Sequence, residues 1–93
     1  MLQFQKVAQI LPIFVGSDNT QVQALNSAIP SWAASQNTTQ SPIWVVDQYD
    51  GISPSDLRDD VHPNSSGDSK MAAKWYPAVV DAVNTVLRAT TTT

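Results

Sequence analysis

The stretch Asp59-Asp60-Val61-His62-Pro63-Asn64 sets a carboxylate three residues ahead of a histidine, with a proline and an asparagine directly after it. His62 is the single histidine of the 93-residue chain, so any imidazole chemistry depends on it. A carboxylate at that spacing in a tight loop can fold back and accept a hydrogen bond from ring Nδ1. That contact fixes the tautomer, stabilises the imidazolium and leaves Nε2 free to take a proton from a nucleophile. Pro63 biases His62 away from helical backbone angles, and Asn64, Ser65 and Ser66 suit a helix start. The histidine is therefore expected on a rigid loop against a helix N-terminus. Taken alone, the same letters also suit an ordinary polar surface loop.

The elements that must position this loop are legible on either side of it. Val7 to Val15 is apolar and β-branched enough for a buried strand, with Pro12 breaking or ending its ladder. From Thr20 the pattern turns helical. Thr20-x-x-Gln23 has the form of a capping box, and Val22, Leu25, Ile29 and Trp32 recur on one face, with Pro30 kinking or restarting the helix. Ser35 to Ser41 reads as a loop closed by Pro42, and Ile43 to Asp47 as a short buried strand. Two strands separated by a helix imply a right-handed parallel crossover, and ligands collect beyond the carboxyl ends of such strands. The segment from Asp47 to Asp60 leaves that end of the second strand. The last element runs from about Ser65 to Arg88, with Met71, Trp75, Val79, Val83, Val86 and Leu87 on the face expected to pack and Pro77 interrupting it. Asp68 and Arg88 suit its dipole. Thr90 to Thr93 reads as a tail or the start of a linker.

Composition narrows the function. One domain at most fits in 93 residues, and its independent stability is expected to be marginal. A net charge of −3 with five Lys+Arg offers no basic patch, so nucleic acid and anionic membrane are not expected partners. No apolar run approaches the roughly 20 residues that span a bilayer, and Met1 to Lys6 is too polar for a signal peptide. Zero cysteines exclude disulfides and thiolate metal sites. The aspartates around His62, namely Asp47, Asp50, Asp56, Asp59, Asp60 and Asp68, do not follow a calcium-loop spacing, so neither a metal nor a cofactor is expected. Ser, Thr, Asn and Gln make up 31 of the 93 residues, a bias that suits a secreted, polysaccharide-acting protein. Asn37-Thr38-Thr39 and Asn64-Ser65-Ser66 both fit the glycosylation acceptor pattern, although a glycan on the second would crowd the histidine.

Asp59-x-x-His62-Pro63-Asn64, followed by Gly67 and then Lys70-Met71-Ala72-x-x-Trp75, resembles the C-terminal block of the SGNH (GDSL-type) hydrolases, most closely their carbohydrate-esterase and acetylxylan-esterase branch. Val7 to Ile13, Asn26-x-Ala28-Ile29-Pro30 and Ile43 to Val46 resemble the final βαβ part of the same family, so the likeness runs roughly from Val7 to Leu87. It implies a partial three-layer α/β/α, flavodoxin-like fold with two parallel strands and two kinked helices over residues 1–89, with 90–93 outside it. It also implies that Asp59 and His62 are two members of a Ser-His-Asp triad.

The family's nucleophilic serine lies in a Gly-Asp-Ser block after its first strand, and its oxyanion donors in two further blocks. None of these has a counterpart here. Gly67-Asp68-Ser69 spells the nucleophile's letters but follows His62 by only five residues and opens a helix. Gly16-Ser17-Asp18 sits in a strand-turn-helix setting without the flanking glycines of a nucleophile elbow, which suits a turn and helix cap. The expectation is the C-terminal part of a secreted carboxylester hydrolase acting on an acetylated carbohydrate or other small ester, inactive alone and completed by the missing N-terminal part of its domain. The alternative is a non-catalytic truncated or carbohydrate-binding module that uses Trp32, Trp44 or Trp75.

Overall fold

The computed structural model describes residues 4–91, with the backbone alone for 89–91. Two five-residue strands, β1 (Gln5–Gln9) and β2 (Ile43–Asp47), pair in parallel with Gln5 opposite Ile43 and Gln9 opposite Asp47. Helix α1 (Asp18–Gln36) connects them, and after β2 a 3-10 turn (Pro54–Asp56) leads into helix α2 (Ser65–Thr91). Successive strand residues point to opposite faces. Gln9 and Asp47 share a groove with Gln23, Asn26 and Pro30 of α1, whereas Lys6 and Trp44 share one with Ala73, Pro77 and Asp81 of α2. The sheet thus lies between the two helices, an α/β/α sandwich of two parallel strands. No described helix is long and apolar enough to cross a membrane.

The first strand is shorter than the apolar run from Val7 to Val15, because a side chain ends it. Asn26, buried in α1, accepts a hydrogen bond from the Ile10 N–H at 2.8 Å and donates to the Ile10 carbonyl at 2.9 Å. With both backbone groups of Ile10 taken, the ladder stops at Gln9. Pro12 follows as one of the most buried side chains of the chain.

Helix α1 begins at Asp18 rather than Thr20, with Ser17 at the cap, so the expected capping box does not form. Gln23 turns outward instead and donates to the Tyr49 hydroxyl at 3.0 Å. Its buried stripe is Val22, Asn26 and Ala33, while Leu25 and Trp32 are half exposed. The helix also continues through Pro30 without restarting. A proline cannot donate to the carbonyl four residues back, and here that carbonyl, Asn26 O, accepts the Gln9 amide at 2.7 Å.

Helix α2 likewise runs unbroken past Pro77 and on to Thr91; Thr92 and Thr93 lie outside the described residues. Met71 and Trp75 are half-buried, but Val79, Val83, Val86 and Leu87, expected in the core, are exposed. Helix α2 packs on β2 and on the 3-10 turn, and Ala73, Pro77 and Asp81 face the sheet across a groove.

Candidate active site

Residues 57–63 form a loop whose two stems are joined. Leu57 and Pro63 make an antiparallel bridge, Arg58 N–H donates to His62 O at 2.9 Å, and Asn64 N–H donates to Asp56 O at 2.9 Å. The tip carries Asp60 in the left-handed region (φ 65°), a conformation that Asp tolerates better than most residues. The Asp60 carbonyl accepts the Phe14 N–H at 2.9 Å, fastening the loop to the segment that leaves β1.

Within this loop Asp59 and His62 come together. Asp59 Oδ1 accepts the backbone N–H of His62 at 2.6 Å and that of Val61 at 3.1 Å, and Asp59 Oδ2 lies 2.6 Å from His62 Nδ1. The carboxylate therefore grips both the backbone and the ring of the histidine. An ionised carboxylate can only accept, so its contact with the ring favours hydrogen on Nδ1 and leaves Nε2 as the acceptor nitrogen. The side chains are 59% and 51% exposed for His62 and Asp59, so the ring edge is reachable from solvent. The His62 backbone N–H first, then its ring and the Val61 N–H, hold the Asp59 carboxyl down from its usual 3.8 to about 2, against a smaller effect of desolvation. Asp59 is thus an anion at any working pH, suited to stabilise an imidazolium on its neighbour.

The helix behind the loop is capped by Asn64, whose Oδ1 accepts the N–H groups of Ser66 at 3.0 Å and Gly67 at 3.1 Å. Its Nδ2 donates to Ser55 O at 2.8 Å, so this asparagine is committed on both sides. Asn37 of the other glycosylation pattern lies exposed at the end of α1, with its Oδ1 accepting the Ile43 N–H at 2.7 Å. Gly67 is dictated by space: a Cβ there would lie 2.4 Å from Asp56 O and 2.9 Å from Pro63 Cβ.

The remaining aspartates of this group lie elsewhere in the fold. Asp47 Oδ1 closes a turn by accepting Tyr49 N–H at 2.8 Å and Asp50 N–H at 3.0 Å. The Asp50 carbonyl accepts the Lys74 ammonium, and Asp68 sits in the first turn of α2. Asp56 is buried, 3% exposed, and carries a role that its position among scattered carboxylates did not reveal. Ser17, at the cap of α1, and Ser69, on α2, are both exposed, and the hydrogen bond of the His62 ring goes to Asp59 rather than to either. Trp44 stacks on Phe4 at 5.9 Å and lies under the Lys6 ammonium at 4.1 Å, which accounts for one of the three tryptophans.

No protein-family model matches the chain, and no curated protein matches it. Two solved structures do. One is an acetyl esterase mutant crystallised with acetate ion, 34% identical, with a TM-score of 0.82 over 89% of this chain and 41% of that one. The other is a carbohydrate esterase family 3 from Talaromyces cellulolyticus, also 34% identical, with a TM-score of 0.78 over 87% of this chain and 40% of that one. The chain has the α/β partial fold of these esterases. It spans about two fifths of their length.

Proposed function

We propose that the chain supplies the Asp-His half of the Ser-His-Asp triad of an SGNH-type carboxylester hydrolase, with the serine carried by a segment that has no counterpart among these residues. The observation that carries this is the doubly held pair: one Asp59 oxygen on the His62 backbone and the other 2.6 Å from the ring, with the ring edge exposed. The likeness to an acetyl esterase and a carbohydrate esterase supports a carbohydrate acetyl ester as substrate. In this mechanism the serine oxygen attacks the ester carbonyl while His62 Nε2 takes its proton, and Asp59 stabilises the resulting imidazolium. His62 returns the proton to the departing sugar hydroxyl. Water then attacks the acyl-serine with His62 again as base, releasing acetate and restoring the serine. The composition supports a secreted parent protein.

The test is acetate release from an acetylated xylo-oligosaccharide. A protein that carries this chain together with the serine segment is expected to release acetate, and the purified 93-residue chain to release none above background. Serine-independent turnover by the 93 residues alone would overturn the proposal. A second reading, a non-catalytic sugar-contacting module, gains support from Trp32, which is 51% exposed on α1. Saturable quenching of tryptophan fluorescence by unacetylated xylan, abolished in Trp32→Ala, would favour it.

A further inference from the structure

Asp56 is buried, yet it stands three residues from Asp59, whose carboxylate is half exposed. Its carboxylate is reached by four donors. Ser53 N–H at 2.9 Å, Ser53 Oγ at 3.3 Å and Lys70 Nζ at 2.7 Å lie on Oδ2, and Ser66 Oγ at 2.8 Å lies on Oδ1. Its carbonyl meanwhile accepts the Asn64 N–H at 2.9 Å and faces the Gly67 backbone, with no room for a side chain between. Lys70 carries the tie further, donating to Gly51 O at 2.9 Å in the segment that leaves β2. One residue therefore fastens together the incoming stem of the loop, its outgoing stem, the first turns of α2 and the connection from the sheet.

The tip of the loop that these stems carry faces solvent. Leu57 in the incoming stem is buried and Val61 half-buried, but Arg58, Asp59, Asp60 and His62 are all exposed, and the tip is tied by the hydrogen bond from Phe14 to Asp60 O. The lateral placement of the Asp59–His62 pair must come from its base. We infer that Asp56, locked by Lys70, is the positioning residue of the Asp59–His62 loop: it closes the base of the loop and so directs the imidazole, without touching substrate itself. A buried carboxylate with four donors cannot be replaced by one of fewer acceptor sites without releasing a partner. The Lys70 ammonium supplies the charge that makes burying it tolerable.

The inference rests on the triad reading, since the pair it positions is the proposed proton acceptor. Its test reads the pair directly and needs no ester turnover. In the 93-residue chain labelled with 15N, the neutral form of the His62 ring is expected to carry its hydrogen on Nδ1, the tautomer that Asp59 selects. In Lys70→Met and in Asp56→Asn, with the helical circular dichroism retained, that tautomer is expected to lose its majority. The Arg58 and Asn64 amides should exchange about tenfold faster, the loss of roughly one charge-assisted hydrogen bond at the base. Lys70→Arg, which keeps the charge, is expected to retain the parent tautomer. Lys70 is half exposed and its removal leaves the serine donors in place, so Lys70→Met decides the matter if Asp56→Asn does not fold. A folded Lys70→Met with unchanged tautomer and exchange overturns the inference. Global unfolding of Lys70→Met overturns it too, because the tie would then hold the fold rather than the loop. Failure here leaves the triad proposal standing, and absence of acetate release by the longer protein leaves the lock standing.

Discussion

Asp59 is a carboxylate that uses its two oxygens for different tasks. Asp59 Oδ1 serves the backbone of His62 and Oδ2 serves its ring, so the residue builds the loop and sets the tautomer at once. In a protein with the complete triad, Asp59→Asn is expected to lower kcat about 10⁴-fold with little change in KM, since an amide facing Nδ1 favours the wrong tautomer. A fall of less than about tenfold would remove Asp59 from the triad. Because its carboxyl titrates at about 2 rather than 3.8, the loop's stabilisation by Asp59 is complete above pH 3.8 and is lost as pH falls toward 2. The 13C resonance of the Asp59 carboxyl should accordingly show a midpoint near 2, and a midpoint near 4 would mean that the two hydrogen bonds do not persist in solution. Gly67→Ala should destabilise by about 1–3 kcal/mol in denaturant unfolding, because the new methyl meets the immovable Asp56 carbonyl. The Asp59–His62 pair was legible in the sequence because its contacts span only three residues. Asp56 was not, since Ser66 and Lys70 reach it from 10 and 14 positions downstream.

At the scale of elements, side-chain hydrogen bonds to the backbone decide where the regular structure stops. Asn26 takes both polar groups of Ile10 and ends β1, while Gln9 takes the Asn26 carbonyl that Pro30 leaves open. The shape of an asparagine amide, one donor and one acceptor side by side, suits this task and that of no aliphatic residue. Asn26→Leu should therefore cost roughly 2–4 kcal/mol, as two backbone groups lose their partners; a change under about 1 kcal/mol would mean that water replaces the amide. Strand β2 matched its sequence pattern at both ends, because Pro42 and the Asp47 turn are local signals. The start of α1 and the end of β1 did not, because an apolar run carries no mark of a polar side chain arriving from sixteen residues away. The helical face was misplaced for a related reason: a buried asparagine replaces one member of the apolar stripe on which periodicity depends.

Taken whole, the molecule is too open for its mass. Its radius of gyration is 15.6 Å, whereas a compact domain of this length has about 12 Å. Its accessible surface is 6079 Å², whereas a compact monomer of this mass exposes about 5,300 Å². Large apolar side chains are exposed on the far half of α2, at Val79, Val83, Val86 and Leu87, and on α1 at Leu25 and Trp32. These residues have the character of a core without the burial of one, as expected if the chain is about two fifths of a larger α/β unit. On the proposed reading, the hydrophobic pattern predicted more packing than the chain displays because it suits the whole of that unit. The central claim is that His62, held by Asp59, takes the proton of a serine supplied by the rest of that unit. It is tested most directly by labelling the longer protein with a fluorophosphonate that reacts only with an activated serine. The account predicts strong labelling of the parent and its loss in a folded His62→Ala variant, whereas undiminished labelling of that variant would contradict it.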